Sequence, residues 1–238
     1  MAVAVVMNAG CASTRPLPTL SPSSPPQAWH QLRAIRESFR GASAYTRMRV
    51  DRGSIHRSFN ARLNVGGDGA VLLDALTPLG TAAFTLYVNR GDVLFVNHLQ
   101  RSSWSGTLAE LNRTLPIFGG SDDASSLGFL LIGLPPSCPS AEVSGDGPQA
   151  SVTCGNFVLQ VEAAGLRSAR TAAGDLSIDY TATAFPAQNV VVHSSSGSGG
   201  DVSIQYLEVN SRVKALVKPD VPADYTRGAP PSSLETGS

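Results

Sequence analysis

Hydrophobic and polar residues alternate along most of this chain, and the alternation is chiefly strand-like. The cleanest run is "SIHRSFNARLNV". Ile55, Arg57, Phe59, Ala61, Leu63 and Val65 share one face, apolar except for Arg57, while His56, Ser58, Asn60, Arg62 and Asn64 share the other. Successive side chains of a strand leave opposite faces, so this run predicts a half-buried strand. "GGDG" turns the chain into "AVLLDAL", "TPLG" turns it into "AAFTLYV", and "NRGD" leads into "VLFVNH". Short turns between consecutive apolar runs predict an antiparallel meander. Strands resume later with "ASVTC", "FVLQVEA", "DLSIDYTATAF", "QNVVVH" and "VSIQYLEVNSRV".

Three stretches break the pattern. In "AWHQLRAIRESFRG", Trp29, Leu32, Ile35 and Phe39 fall at helical spacing and Gly41 stops the run. "SGTLAELNRTLPIFGG" offers Thr107 as a helix cap, with Leu108, Leu111 and Leu115 on one face. "SDDASSLGFLLIGLPP" reads as a second short apolar helix ended by Gly133 and Pro135. The expected fold is mainly β: roughly ten or eleven antiparallel strands, one N-terminal helix and two short helices. A sheet of that size must curl or close, because flat free edges invite aggregation. The expected form is a strongly curved sheet or half-open barrel, with the short helices as a lid.

The ends of the chain have a different character. "MAVAVVMNAGCAS" is a short apolar run ending in Ala9-Gly10-Cys11, which resembles the end of a bacterial lipoprotein signal peptide, with Cys11 the residue that takes lipid. "STRPLPTLSPSSPPQ" after it is rich in Pro and Ser and reads as an extended tether. The organisation expected is therefore a signal-peptide remnant at 1–10, a lipidated cysteine and disordered tether at 11–26, a β domain at 27–216 and a disordered tail at 217–238.

Composition narrows the function. The net charge is +0, so no basic stripe offers itself to nucleic acid. Charged residues make up 15% of the chain, below the roughly 25% of ordinary soluble domains, and fit an exported β protein. With Cys11 lipidated, Cys138 and Cys154 remain and can pair across the turn-rich segment between them in an oxidising compartment. The alternative for them is a pair of buried thiols.

Candidate chemistry is sparse. His30, His56, His98 and His193 are scattered beside no evident nucleophile, and His56 falls on a polar face. Asp122 and Asp123 precede a helix and suit capping. "GSGG" near Gly197 lies between strands, whereas a phosphate cradle needs a helix directly after it. Neither a metal nor a cofactor is expected, nor an enzyme. A curved sheet with an apolar inner face has another use: it can bind acyl chains, at about 0.8 kcal/mol per buried methylene. Phe59, Leu63, Phe84, Leu86, Phe95, Leu159 and Tyr206 are candidates for the lining, with Leu111, Leu130 and Leu131 in the lid.

Three segments resemble the LolB family of outer-membrane lipoproteins. "RGASAYTRMRV" resembles its first strand, "LLDALTPLGTAAFTL" its strand, Pro-Leu-Gly turn and strand, and "LPIFGG…LLIGLPP" a later segment ending in Gly-Leu-Pro. The likeness runs from about Gln27 to Val213. It departs where the family has Trp before Gly-Leu-Pro, and in the cysteine pair and long tail. The resemblance implies a monomer without cofactor or catalysis. Such a protein is lipid-anchored in the outer membrane and faces the periplasm. It takes lipoproteins from a LolA-like periplasmic carrier, holds their acyl chains, and passes them to the inner leaflet of the outer membrane. It further implies that Leu79, between Pro78 and Gly80, enters the membrane during release. A lipid-binding or lipoprotein-sensing module with another ligand, on the same fold, is the competing expectation.

Overall fold

The computed structural model describes residues 17–114, 124–145, 147–181, 185–195, 199–211 and 215–231. Cys11, Asp122 and Asp123 lie outside the described residues. The first element is α1 (Pro25–Ser38), with proline at its first turn, where the missing N–H would have had no partner. Ala28, Trp29 and Leu32 recur at helical spacing and are buried.

The strands follow as β1 (Gly41–Arg52), β2 (Ile55–Gly66), β3 (Val71–Leu76), β4 (Ala82–Asn89), β5 (Asp92–Asn97) and β6 (Ser102–Thr107). Two short helices come next, α2 (Leu108–Thr114) and α3 (Ala124–Leu131). The chain then returns to strands with β7 (Ala141–Ser144), β8 (Gln149–Cys154), β9 (Phe157–Glu162), β10 (Gly165–Thr171), β11 (Leu176–Tyr180), β12 (Asn189–Ser194), β13 (Gly200–Ser211) and β14 (Thr226–Arg227). All fourteen strands join one curved sheet that does not close, in the order β14-β6-β5-β4-β3-β2-β1-β13-β12-β11-β10-β9-β8-β7. The pairings are antiparallel, except that β14 lies parallel to β6. The long strands β1 and β13 join the two meanders, pairing from Ala42↔Ser211 to Asp51↔Asp201.

The faces of this sheet differ. In β1, Ala42, Ala44, Thr46 and Met48 are buried while Tyr45, Arg47 and Arg49 are exposed, as strand alternation requires. The inner face is covered in two parts. α1 packs on β8, β9 and β10, whereas α3 packs on β2 and β4, and α2 on β5 and β6. A disulfide joins Cys138, downstream of α3, to Cys154 at the end of β8, with the Cα atoms 5.3 Å apart.

The C-terminal segment departs from the expected disordered tail. The outer faces of β3, β4 and β5 carry Leu72, Tyr87, Leu94 and Val96, which are too apolar to face water unprotected, and Leu216 and Tyr225 pack onto them. Thr226 N–H donates to the Arg101 carbonyl at 3.0 Å and Gly228 N–H to that of Ser103 at 2.8 Å, so the segment also pairs with the edge strand β6. The Pro-rich composition suggested no structure, but one tyrosine and one leucine suffice to lay the segment on an apolar patch.

Candidate functional site

Between the sheet and the two short helices runs an apolar crevice. Met48 and Val50 of β1, Phe59 and Leu63 of β2, Val71 and Leu73 of β3, and Phe84 and Leu86 of β4 line one side. Phe95 of β5, Val192 of β12, and Val202 and Ile204 of β13 extend it, and Leu111 of α2 and Leu131 of α3 cover it. None of these side chains is polar. Phe84 is the centre of an aromatic group, edge-on to Phe59 at 5.8 Å and tilted against Phe95 at 5.6 Å. Leu63 and Val71 are buried whereas Val50 and Phe59 are half-buried, so the crevice opens toward the β1–β2 hairpin. Its volume is about 50 Å³. That is far below the ~300–1,000 Å³ of occupied ligand pockets, so the crevice is closed on its own side chains.

Of the residues expected at the cavity, Phe59, Leu63, Phe84, Leu86, Phe95, Leu111 and Leu131 line the crevice. Leu130, Leu159 and Tyr206 do not. Leu159 belongs to β9, in the part of the inner face that α1 fills. Tyr206 and Leu130 take part in pinning α3. The last carbonyls of a helix have no partner within it. Here Tyr180 OH donates to the Leu130 carbonyl and Tyr206 OH to the Leu131 carbonyl, each at 2.6 Å. Burial raises both phenols above their ordinary value, most for Tyr180, where Tyr206 and Asp179 add to it. Both therefore remain protonated donors at neutral pH. The helix then ends with Leu134 N–H donating to the Phe129 carbonyl and Gly133, at φ +83°, taking the left-handed position. At α2, the Thr107 N–H donates to the Glu110 carboxylate at 2.8 Å and Glu110 N–H to the Thr107 hydroxyl at 3.2 Å, a reciprocal cap.

Met48, Val50, Val71, Leu73, Val192, Val202 and Ile204 also line the crevice. Their alternation was legible strand by strand. What sequence lacked was the register that sets Val50 against Val202 and Val192 against Val202.

The Thr77–Thr81 turn lies at the end where the crevice opens. Gly80 N–H donates to the Thr77 carbonyl at 2.9 Å and Thr77 N–H to that of Thr81 at 2.8 Å. Pro78 takes the second turn position, whose φ its ring pre-sets. Leu79 follows at the corner and is 91% exposed.

No protein-family model matches this chain, and no curated protein does. Solved structures resemble it at low identity. A LolA superfamily protein from Nitrosomonas europaea is 11% identical, with 79% of this chain and 94% of that one covered and a TM-score of 0.47. An outer membrane lipoprotein-sorting protein domain from Vibrio parahaemolyticus is 10% identical over 77% and 90%, with a TM-score of 0.48. A DUF1329 family protein from Desulfovibrio piger is 10% identical over 80% and 95%, also at 0.48. These likenesses concern fold at a distance, and the functional reading rests on the crevice.

A wider polar groove, about 800 Å³, lies on the outer face beside Arg47, Arg49, His56, Ser58 and Gln205. Two of its lining side chains, Arg49 and His56, share the neighbouring carboxylate of Asp51. Asp51 accepts from Arg49 and bonds His56, each at 2.7 Å, and the two hold its carboxyl below the ordinary value. His193 sits similarly between Asp201 at 2.8 Å and Asp179 at 3.4 Å. Exposed pairs of this kind are screened by water, add little to stability and mark a solvated face. His98 bonds the Thr85 hydroxyl at 3.1 Å and the Tyr225 hydroxyl at 3.2 Å, while Thr85 donates to Asp74 at 2.7 Å. With its proton committed to Asp74, the Thr85 hydroxyl accepts from His98 Nε2, and the other ring nitrogen of His98 bonds Tyr225 of the C-terminal segment. Among the described residues no group of three or more His, Cys, Asp or Glu could hold a metal ion, and no helix is long and apolar enough to cross a membrane.

Proposed function

We propose that this protein is a lipid-anchored acceptor that holds lipoprotein acyl chains in the apolar crevice and releases them into the outer membrane. The observation that carries the reading is the lining: residues from seven strands and two helices, with no polar side chain among them. Hydrocarbon gains most from such a site, because no polar group has to be desolvated when it enters. The crevice must open to admit a chain, and α2 and α3 are the elements that can swing outward without unpairing the sheet. A lipid on Cys11 would hold the domain near the inner leaflet, facing the periplasm, and a LolA-like carrier would supply the cargo. A monomer without cofactor suffices for this role.

Native mass spectrometry of the protein extracted from membranes tests the reading. The expected result is a lipid mass on Cys11 together with a non-covalent acyl ligand. Recovery of a free lipid in place of lipoprotein would favour the lipid-binding module. An empty crevice that also fails to take up a fluorescent fatty acid would refute acyl binding. Leu79→Glu addresses release: its cargo is expected to load normally but to reach membranes at least tenfold more slowly.

A further inference from the structure

The turn that carries Leu79 is not alone. β2 ends its pairing with β3 at Asn60↔Leu76 but runs five residues farther, to Ile55 at the tip of the β1–β2 hairpin. The β5–β6 turn, beginning after Asn97, emerges at the same end. Ile55 is 44% exposed, Leu79 91% and Leu99 49%, so each of these neighbouring turns holds a large apolar side chain in water. The turns are fixed. Gly53 takes φ +55° at the hairpin tip, and the Asn97 side chain accepts from the N–H groups of Leu99 and Gln100 at 3.1 and 3.0 Å.

The stagger of the tips matters. Ile55 stands five residues beyond Asn60, Leu79 three beyond Leu76, and Leu99 two beyond Asn97, whose partner Phe84 is set farther back. The tips therefore step down by roughly one to two residues per strand. With a strand tilt of about 35–45°, as in rolled sheets, a stagger of that size would bring the tips to one rim. Arg52 is the cross-strand partner of Ile55, Arg57 lies two residues beyond it, and Arg101 follows Leu99. Of the adjacent carboxylates, Asp51 is paired with Arg49 at 2.7 Å, and Asp224 with Arg101 itself at 3.6 Å.

We propose that Ile55, Leu79 and Leu99 form a single three-pronged rim that docks on a lipid bilayer and sets the mouth of the crevice against it. Strands separate the prongs by roughly 10 Å, so they make no continuous apolar patch such as a protein partner would cover. Fluid hydrocarbon can receive each prong separately, while the long side chain of Arg57 can extend to the phosphate layer. The half-buried Val50 and Phe59 mark the mouth beside this rim, so an acyl chain could pass between crevice and bilayer without crossing water. The inference rests on the acceptor reading and extends its membrane contact from one loop to three.

The test uses the full chain with Cys11→Ser, so that no lipid anchors it, and vesicles of phosphatidylethanolamine and phosphatidylglycerol. Ile55→Ser and Leu99→Ser are each expected to lower the fraction bound roughly tenfold, as for one withdrawn side chain. Val143→Ser and Leu207→Ser, exposed apolar residues elsewhere, are expected to bind like the parent. The melting temperature of each variant checks folding. Binding unchanged by both rim variants, or an equal loss in Val143→Ser, overturns the rim. A fluorescent fatty acid in solution separates the two ideas. If the crevice takes none while the rim variants still detach from vesicles, the rim stands and the acyl-acceptor reading falls.

Discussion

At the scale of single residues, Tyr180 and Tyr206 do the most with the fewest atoms. Each places a hydroxyl 2.6 Å from a carbonyl at the end of α3, and each is shielded enough that its phenolate is disfavoured. Tyr180→Phe leaves the Leu130 carbonyl with the Gly133 N–H at 3.0 Å and is expected to cost about 0.5–1.5 kcal/mol in urea unfolding, whereas Tyr206→Phe removes the donor to the Leu131 carbonyl and is expected to cost about 1–3 kcal/mol. The pH dependence has a definite sign. Both phenols ionise less readily when folded than when unfolded, where their ordinary value is 10.0. Their stabilisation is therefore complete below that pH and is lost as pH rises toward the folded values. Stability measured from pH 8 to 12 should decline in the parent above about pH 10, and decline less steeply in the double Phe variant. Equal slopes would mean that other groups govern the alkaline loss. Tyr206 also shows where residue-level reading fell short. It was expected in the cavity lining, whereas in the fold its hydroxyl meets a helix terminus.

Elements carry a different lesson, because strands that face two chemistries hide from a periodicity argument. β2 and β9 alternate cleanly and were legible, as was α2 from Thr107. β6, "SSWSGT", is too small and polar to announce itself, and it forms because β5 pairs with it along its length. β10, "GLRSART", lost its alternation to a register shift between Leu166 and Ser168. β7 is an exposed edge strand, and β14 has only two residues. Short edge strands of this kind limit edge-to-edge association. The C-terminal segment extends that protection, since Tyr225 covers Tyr87, Leu94 and Val96 and bonds His98. Removing residues 215–238 should uncover this patch and the edge of β6 together. The expected outcome is a lower melting temperature and concentration-dependent association in analytical ultracentrifugation. Tyr225→Ala should reproduce part of the destabilisation, on the order of 2–4 kcal/mol for a large side chain lost from a partly covered site. A truncated protein that stays monomeric and melts like the parent would show that the segment shields nothing.

For the whole molecule the governing fact is that its apolar interior is closed, with a crevice of about 50 Å³ where an acyl chain would need several times more. The curved sheet and its apolar face were legible from alternation, but the extent of filling was not, because it depends on how Phe59, Phe84 and Phe95 pack across three strands. A ligand must therefore compete with the protein's own side chains. Its apparent affinity is the intrinsic affinity reduced by the fraction of molecules in which the crevice is open. Phe84→Ala separates these quantities. Removing the central ring should cost about 3–5 kcal/mol of stability, as large-to-small changes in cores do. The same change removes the principal competitor for the space, so a fluorescent fatty acid should bind more tightly than to the parent and with a faster on-rate. Ligand should then restore part of the lost melting temperature, since anything that binds only the folded state stabilises it by mass action. Affinity that falls together with stability would mean instead that Phe84 serves the ligand directly, as part of the surface an acyl chain touches.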